Sequence, residues 1–293
     1  MERRESARSL ALPLAPDFAS LHLNRQISAG SRFMALSDTT EIHQFTCLDD
    51  NFGVLIHDTD TGTTIAVDVP DADAYEKALE QTGWSLTHIL ITHHHWDHVQ
   101  GLGTLKRKTG ATVIGPERSR LKIAEFDRTV EDGDDVRCGP YEIKAISTPG
   151  HTLDQISWYN ASIKVAHTGD TLFSLGCGRV FEGDRDMMWS SLAKLMRQLP
   201  DDTTIYCGHE YTQANARFAL TIDPDNADLK ARADEVAALR EKGAATLPTT
   251  MAKEKATNPF LRAGEASVAA ALGMEGKSAA EVFSEIRMRK DNA

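Results

Sequence analysis

Thr92-His93-His94-His95-Trp96-Asp97-His98 carries four of the chain's 11 histidines within six residues. It directly follows His88 to Ile91, a run whose apolar character predicts a short buried strand. The loop at the end of such a strand is where an α/β sheet presents chemistry. His93 and His95 are two apart, so in an extended or tightly turning segment their imidazoles point to one side while His94 points to the other. One metal ion can then be held by His93 and His95. Asp97 and His98, past the turn, face a second position. Imidazole and carboxylate ligands with few thiols suit zinc, iron or manganese rather than a structural Cys-based zinc site.

Four residues cannot complete two sites, so the rest of the chain must supply lone His or Asp residues at strand ends. It does so three times: Thr148-Pro149-Gly150-His151, Thr168-Gly169-Asp170 and Cys207-Gly208-His209 each follow a strand-like run. The glycine before each candidate lets the backbone turn tightly at a metal. The remaining histidines, His22, His43, His57, His88 and His167, read as structural, and His94 as a neighbour on the second face.

The 293-residue chain has a net charge of −11, with 41% hydrophobic and 26% charged residues. That composition is globular and sufficient for one large core or two smaller ones. Its acidic balance argues against nucleic-acid or anionic-membrane partners, and no apolar run approaches the roughly 18 residues needed to span a bilayer. Cys47, Cys138, Cys177 and Cys207 lie far apart without CxxC spacing. This argues against a disulfide framework and predicts a reducing, cytoplasmic setting.

Residues 1–40 read as a poorly ordered extension with no secretory apolar core. Met34 is an alternative start, because the first strand-like pattern begins at Glu41. From there to His209, β-rich runs at 41–47, 53–57, 63–68, 88–91, 111–114, 141–146, 155–159, 163–167 and 203–207 interleave with helices at 71–81 and 186–198. Strands interleaved with helices predict an α/β or α+β sandwich. After His209 the strand signals stop, and 212–220, 226–242, 264–272 and 278–289 read as helices.

The order HxHxDH at 93–98, then His151, Asp170 and His209, resembles the metallo-β-lactamase fold superfamily. More specific are Cys47-Leu48-Asp49-Asp50-Asn51-Phe52-Gly53, Gly169-Asp170-Thr171-Leu172-Phe173, Gly176-Cys177-Gly178-Arg179, Gly208-His209-Glu210-Tyr211-Thr212 and Asn258-Pro259-Phe260-Leu261-Arg262. With Thr92 to His98, these resemble the glyoxalase II (hydroxyacylglutathione hydrolase) family over about residues 41–291. The resemblance implies an αβ/βα four-layer sandwich at 41–209 and an all-helical, glutathione-binding domain at 210–293.

It also implies a dinuclear site of two divalent ions, zinc in the first instance with iron or manganese as alternatives. His93, His95 and His151 would hold one ion, Asp97, His98 and His209 the other, and Asp170 would bridge them. The implied activity is hydrolysis of S-D-lactoylglutathione and related S-2-hydroxyacylglutathiones to glutathione and D-lactate, the second step of methylglyoxal detoxification. A metal-bridging hydroxide attacks the thioester, with Asp97 and Asp170 at the catalytic centre. Arg179, Tyr211, Arg287 and Lys290 match substrate-binding positions, and a monomer is expected. Phe181 departs from the family pattern, which often has Tyr there, so one hydroxyl contact to glutathione is missing. The alternatives on the same fold are a mononuclear-iron persulfide dioxygenase and a lactonase. Ligating histidines donate their other nitrogen to a carboxylate or carbonyl; Asp68 and backbone carbonyls near Cys207 are the candidates.

Overall fold

The computed structural model describes residues 32–35 and 38–293. Among them, β1 (Arg32–Ala35), β2 (Thr40–Cys47), β3 (Asn51–Asp58), β4 (Thr64–Val67), β5 (His88–Leu90), β6 (Thr112–Pro116) and β7 (Arg128–Val130) form one sheet in that order. Its first four strands pair antiparallel and the rest parallel. The parallel steps require crossovers, which are α1 (Ala72–Thr82) for β4 to β5, α2 (Trp96–Val99) and α3 (Leu102–Thr109) for β5 to β6, and a segment with a 3-10 turn at Glu117–Ser119 for β6 to β7. Asp71 caps α1 through the amides of Asp73 and Ala74, and Gly83 ends it in the left-handed conformation at φ 76°.

The second half of the sandwich begins with β8 (Asp135–Cys138), β9 (Tyr141–Ser147), β10 (Ile156–Asn160) and β11 (Val165–His167). A small hairpin, β12 (Leu172–Phe173) and β13 (Gly176–Cys177), and α4 (Arg185–Gln198) precede β14 (Thr204–Tyr206). The segment after residue 209 contributes α5 (Thr212–Ile222), α6 (Ala227–Glu241), β15 (Thr249–Thr250), α7 (Met251–Thr257), α8 (Ala266–Ala271) and α9 (Ala279–Asp291). The second sheet runs β15-β14-β11-β10-β9-β8.

Alternation along the strands produces four layers. Val54, Ile56, Ile65 and Val67 meet Ile143, Ala145, Ile156 and Trp158 between the sheets. On the outer face of the first sheet, Leu55, Ala66 and Ile89 pack on Tyr75 and Ala78 of α1 and Leu102 and Leu105 of α3. On the outer face of the second, Ile146, Ala166 and Ile205 share a core with Met188 and Leu192 of α4 and with Phe218, Phe260, Phe283 and Ile286. The helical segment is therefore continuous with the outermost layer.

Three features differ from the sequence expectations. Residues 32–35, inside the span read as an extension, form β1, with Met34 opposite Ile42 and Phe33 stacked on His43 at 4.1 Å. The strands β7, β8 and β15, the β12–β13 hairpin and the helices α2, α3 and α7 were not predicted. Each is at most eight residues long, too short for a periodicity to show, and the strands among them take their character from pairing. The chain also returns to the sheet after residue 209, because β15 pairs antiparallel with β14. His22 and the order of residues 1–31 lie outside the described residues. No helix among the described residues is long and apolar enough to cross a membrane.

Candidate metal centre

The parallel strand β5 ends at Leu90, and the chain beyond it is held by the carboxylate of Asp68 at the neighbouring strand end. Asp68, buried at φ 55°, accepts from the Thr92 amide at 2.7 Å and the Thr92 hydroxyl at 2.8 Å. It also receives His98 Nδ1 at 2.8 Å. One carboxylate thus orients both ends of the histidine loop. His98 Nε2 is left facing the centre, which meets the expectation for Asp68.

The structure brings all seven candidate residues together. Ligand atoms of His93, His95 and His151 lie within 4.8 Å of one another, as do those of Asp97, His98 and His209. The side chain of Asp170 lies between the two sets. Its Oδ2 is 3.4 Å from His151 Nε2 and 3.3 Å from His209 Nε2, and its Oδ1 is 3.3 Å from His98 Nε2. His93 Nε2 is buried with no hydrogen-bond partner, and His151 Nε2 faces His95 Nδ1 at 2.9 Å. A buried imidazole nitrogen without a partner is costly; a divalent cation at that point satisfies it, so the donor set fits a metal.

Electrostatics separate the two sets. Burial pushes His93, His95 and His151 below the ordinary imidazole range, which keeps them neutral and free to donate lone pairs. Burial acts the same way on His98 and His209, but the Asp170 carboxylate outweighs it and raises both, His209 to about 10. Asp170 is held well below the carboxylate range because His98 and His209 overcome its burial.

Two orienting residues escaped the sequence reading. Asp50, within the Cys47–Gly53 motif, pairs with His209 Nδ1 at 2.9 Å, and Asn51 donates to Asp97 Oδ2 at 3.2 Å. A backbone bridge between Asn51 and His209 brings them there. The only available signal was the Asp49-Asp50-Asn51 string itself. Carbonyls near Cys207 do not serve; His151 Nδ1 instead meets the Arg179 carbonyl at 2.7 Å. His94 turns away, as expected, to Asp154 at 2.7 Å. All four cysteines are free and buried.

The basic residues differ in their freedom. Arg179 is exposed, 5.7 Å over the Phe181 ring and 4.0 Å from Asp291. Phe181 is 61% exposed, and its ring lies 5.3 Å from that of His151. Lys290 sits 5.0 Å over Phe218, and Tyr211 stacks on His209 at 4.7 Å. Arg287, by contrast, is buried, donating to the Cys177 carbonyl at 3.0 Å and pairing with Asp291 at 2.9 Å.

Comparison with known proteins agrees with this construction. Residues 55–209 match the metallo-beta-lactamase superfamily, and residues 210–293 match the hydroxyacylglutathione hydrolase C-terminus. A hydroxyacylglutathione hydrolase of Brucella ovis is 56% identical over 251 residues, covering 86% of this chain and 97% of that one. Among solved structures, ETHE1 from Myxococcus xanthus superposes with a TM-score of 0.59 at 26% identity, covering 89% of this chain and 91% of that one. A metallo-beta-lactamase from Staphylococcus aureus gives a TM-score of 0.60 at 20% identity, over 85% and 67% of the two chains, and shares the fold alone. The sandwich, the seven converging residues and the helical segment together place this chain in the hydroxyacylglutathione hydrolase (glyoxalase II) family of the metallo-β-lactamase superfamily.

Proposed function

We propose that the chain hydrolyses S-D-lactoylglutathione and related S-2-hydroxyacylglutathiones to glutathione and the free hydroxy acid. The observation that carries this is the double donor set sharing Asp170, in a chain 56% identical to a hydroxyacylglutathione hydrolase. His93, His95 and His151 would hold one divalent ion, Asp97, His98 and His209 a second, with Asp170 serving both. Zinc is the proposed metal. Two such ions supply a nucleophile at neutral pH and polarise a carbonyl.

The chain's own residues supply position. Asp68, Asp50 and the Arg179 carbonyl fix the ring orientations of His98, His209 and His151. Asn51 holds the Asp97 carboxylate, which burial would raise but which His209, His98 and Asn51 keep ionised. Arg179, Tyr211 and Lys290 would receive glutathione, cationic groups being the natural partners of its two carboxylates. Arg287 would support the same patch from beneath through Asp291 and the Cys177 carbonyl. No side-chain nucleophile is required, and burial pushes all four thiols up, Cys177 to about 11.

We further propose a cytoplasmic monomer with 41–209 as the metal-binding part and 210–293 as the glutathione-binding part. A persulfide dioxygenase or lactonase would leave the Asp97–His98–His209 set or the helical segment without a task. Thiol release from S-D-lactoylglutathione tests the reading. Wild type should release glutathione without consuming oxygen, and Asp170→Ala should abolish release; wild-type turnover by that variant would refute the shared-carboxylate centre.

A further inference from the structure

The β12–β13 hairpin links the two sides of the centre, because Asp170 precedes it and Arg179, whose carbonyl orients His151, follows it. Asp170 and the hairpin's exit are in close backbone contact: a Cβ on Gly178 would come within 1.9 Å of the Asp170 carbonyl oxygen. Any displacement of the hairpin is therefore passed to both. At its turn Leu175 is buried in the left-handed conformation at φ 58°, an arrangement that a branched side chain avoids unless it is held.

What holds it comes from the helical segment. The Leu175 amide donates to Glu254 Oε2 at 2.8 Å. Asn258 Nδ2 donates to the Phe173 carbonyl at 3.1 Å, to the Gly176 carbonyl at 2.9 Å and to Glu254 Oε2 at 3.0 Å. Asn215 Nδ2 reaches the Ser174 carbonyl at 3.1 Å, and Arg287 the Cys177 carbonyl at 3.0 Å. Glu254 and Asn258 are both fully buried, and Thr249 donates to the free oxygen of Glu254 at 2.7 Å. Five backbone groups of a six-residue hairpin are thus satisfied by side chains from α5, α7, α9 and the residue after α7.

We propose that Glu254 and Asn258 are positioning residues of the metal centre: through the hairpin they set the Asp170 carboxylate and the Arg179 carbonyl, although they touch no ligand. The helical segment then builds the centre as well as receiving substrate. This rests on the two-ion reading above. It differs from a merely structural role in predicting that a folded variant binds metal less well.

The test uses the full chain, stripped of metal and titrated with Zn2+ against a chromophoric chelator, with amide hydrogen exchange over residues 168–179 followed in the metal-free state. Glu254→Ala and Asn258→Ala should lose affinity for at least one ion by about 10- to 100-fold and exchange faster over that segment. Glu254→Gln, which can still accept from Leu175 and Asn258, should restore both. Val236→Ala, which empties a buried position in α6 without removing any of these hydrogen bonds, should lose thermal stability but keep wild-type affinity. Should the two alanine variants fail to fold, Asn215→Ala removes one hairpin bond and should lower affinity by a few-fold. Folded variants that bind two ions with wild-type affinity and unchanged exchange would overturn the inference alone. A wild-type chain that takes up no second ion would overturn the metal reading and the inference with it.

Discussion

Gly208→Ala isolates the geometry of the centre from the stability of the fold. Gly208 has no left-handed backbone demand, so alanine is compatible with its conformation, yet a Cβ there would lie 2.4 Å from Asp170 Oδ1 and 2.7 Å from His98 Cε1. Ordinary contact begins near 3.4 Å, so the carboxylate must retreat by about 1 Å. Neither neighbour can give cheaply: Asp170 is 5% and His98 1% exposed, and Asp68 pins the imidazole at 2.8 Å. Metal sites tolerate ligand displacements of only about 0.2 Å. A reacting geometry misplaced by about 1 Å costs on the order of 100-fold in rate. The variant is therefore expected to bind fewer than two ions per chain and to lose at least that factor in kcat/KM, while its far-UV circular dichroism stays that of the wild type. Elemental analysis of the purified protein and thiol release on S-D-lactoylglutathione make the measurement. Two ions and wild-type turnover in Gly208→Ala would show that Asp170 does not sit between the two sets.

Asp68→Ala removes the acceptor of His98 Nδ1 and of Thr92 together, so metal affinity should fall by roughly 10- to 100-fold in chelator competition; an unchanged affinity would mean that the ring is oriented by something else. Phe181→Tyr returns a hydroxyl beside Arg179, and one hydrogen bond of about 0.5–1.5 kcal/mol should lower KM roughly 2- to 10-fold at constant kcat. A change in kcat alone would contradict the assignment of this position to substrate binding. Burial holds the Glu254 carboxyl above its usual range. A carboxyl raised in the folded state stabilises most below its unfolded pKa of about 4.3 and progressively less as pH rises. Glu254→Gln does not titrate, so its melting temperature relative to wild type should climb between pH 5 and pH 8. A constant difference would show that the carboxyl titrates normally.

Local spacing made the centre legible early. His93, His95, Asp97 and His98 are close because they are close in sequence, and the glycines before His151, Asp170 and His209 mark tight turns at strand ends. The β-rich runs at 53–57 and 63–68, bounded by turn residues, likewise marked strands. Pairing over long separations was not legible. Asp50 meets His209 across 159 positions and Arg287 meets Cys177 across 110, and nothing in either segment's own pattern names its partner. Arg287 matches a substrate-binding position in sequence, whereas packing of α9 buries it against Phe260. The strand β1 and the two-residue β15 exist because a neighbouring strand edge offers hydrogen bonds, not because four or two residues have a period. Sequence alone thus determined which residues could bind metal, through their spacing along the chain, and implied the fold that would carry them, through motifs that resemble a known family. Tertiary structure alone decided which groups orient those ligands and what holds the hairpin at Asp170, because burial and hydrogen bonding between distant segments select partners only once the layers close.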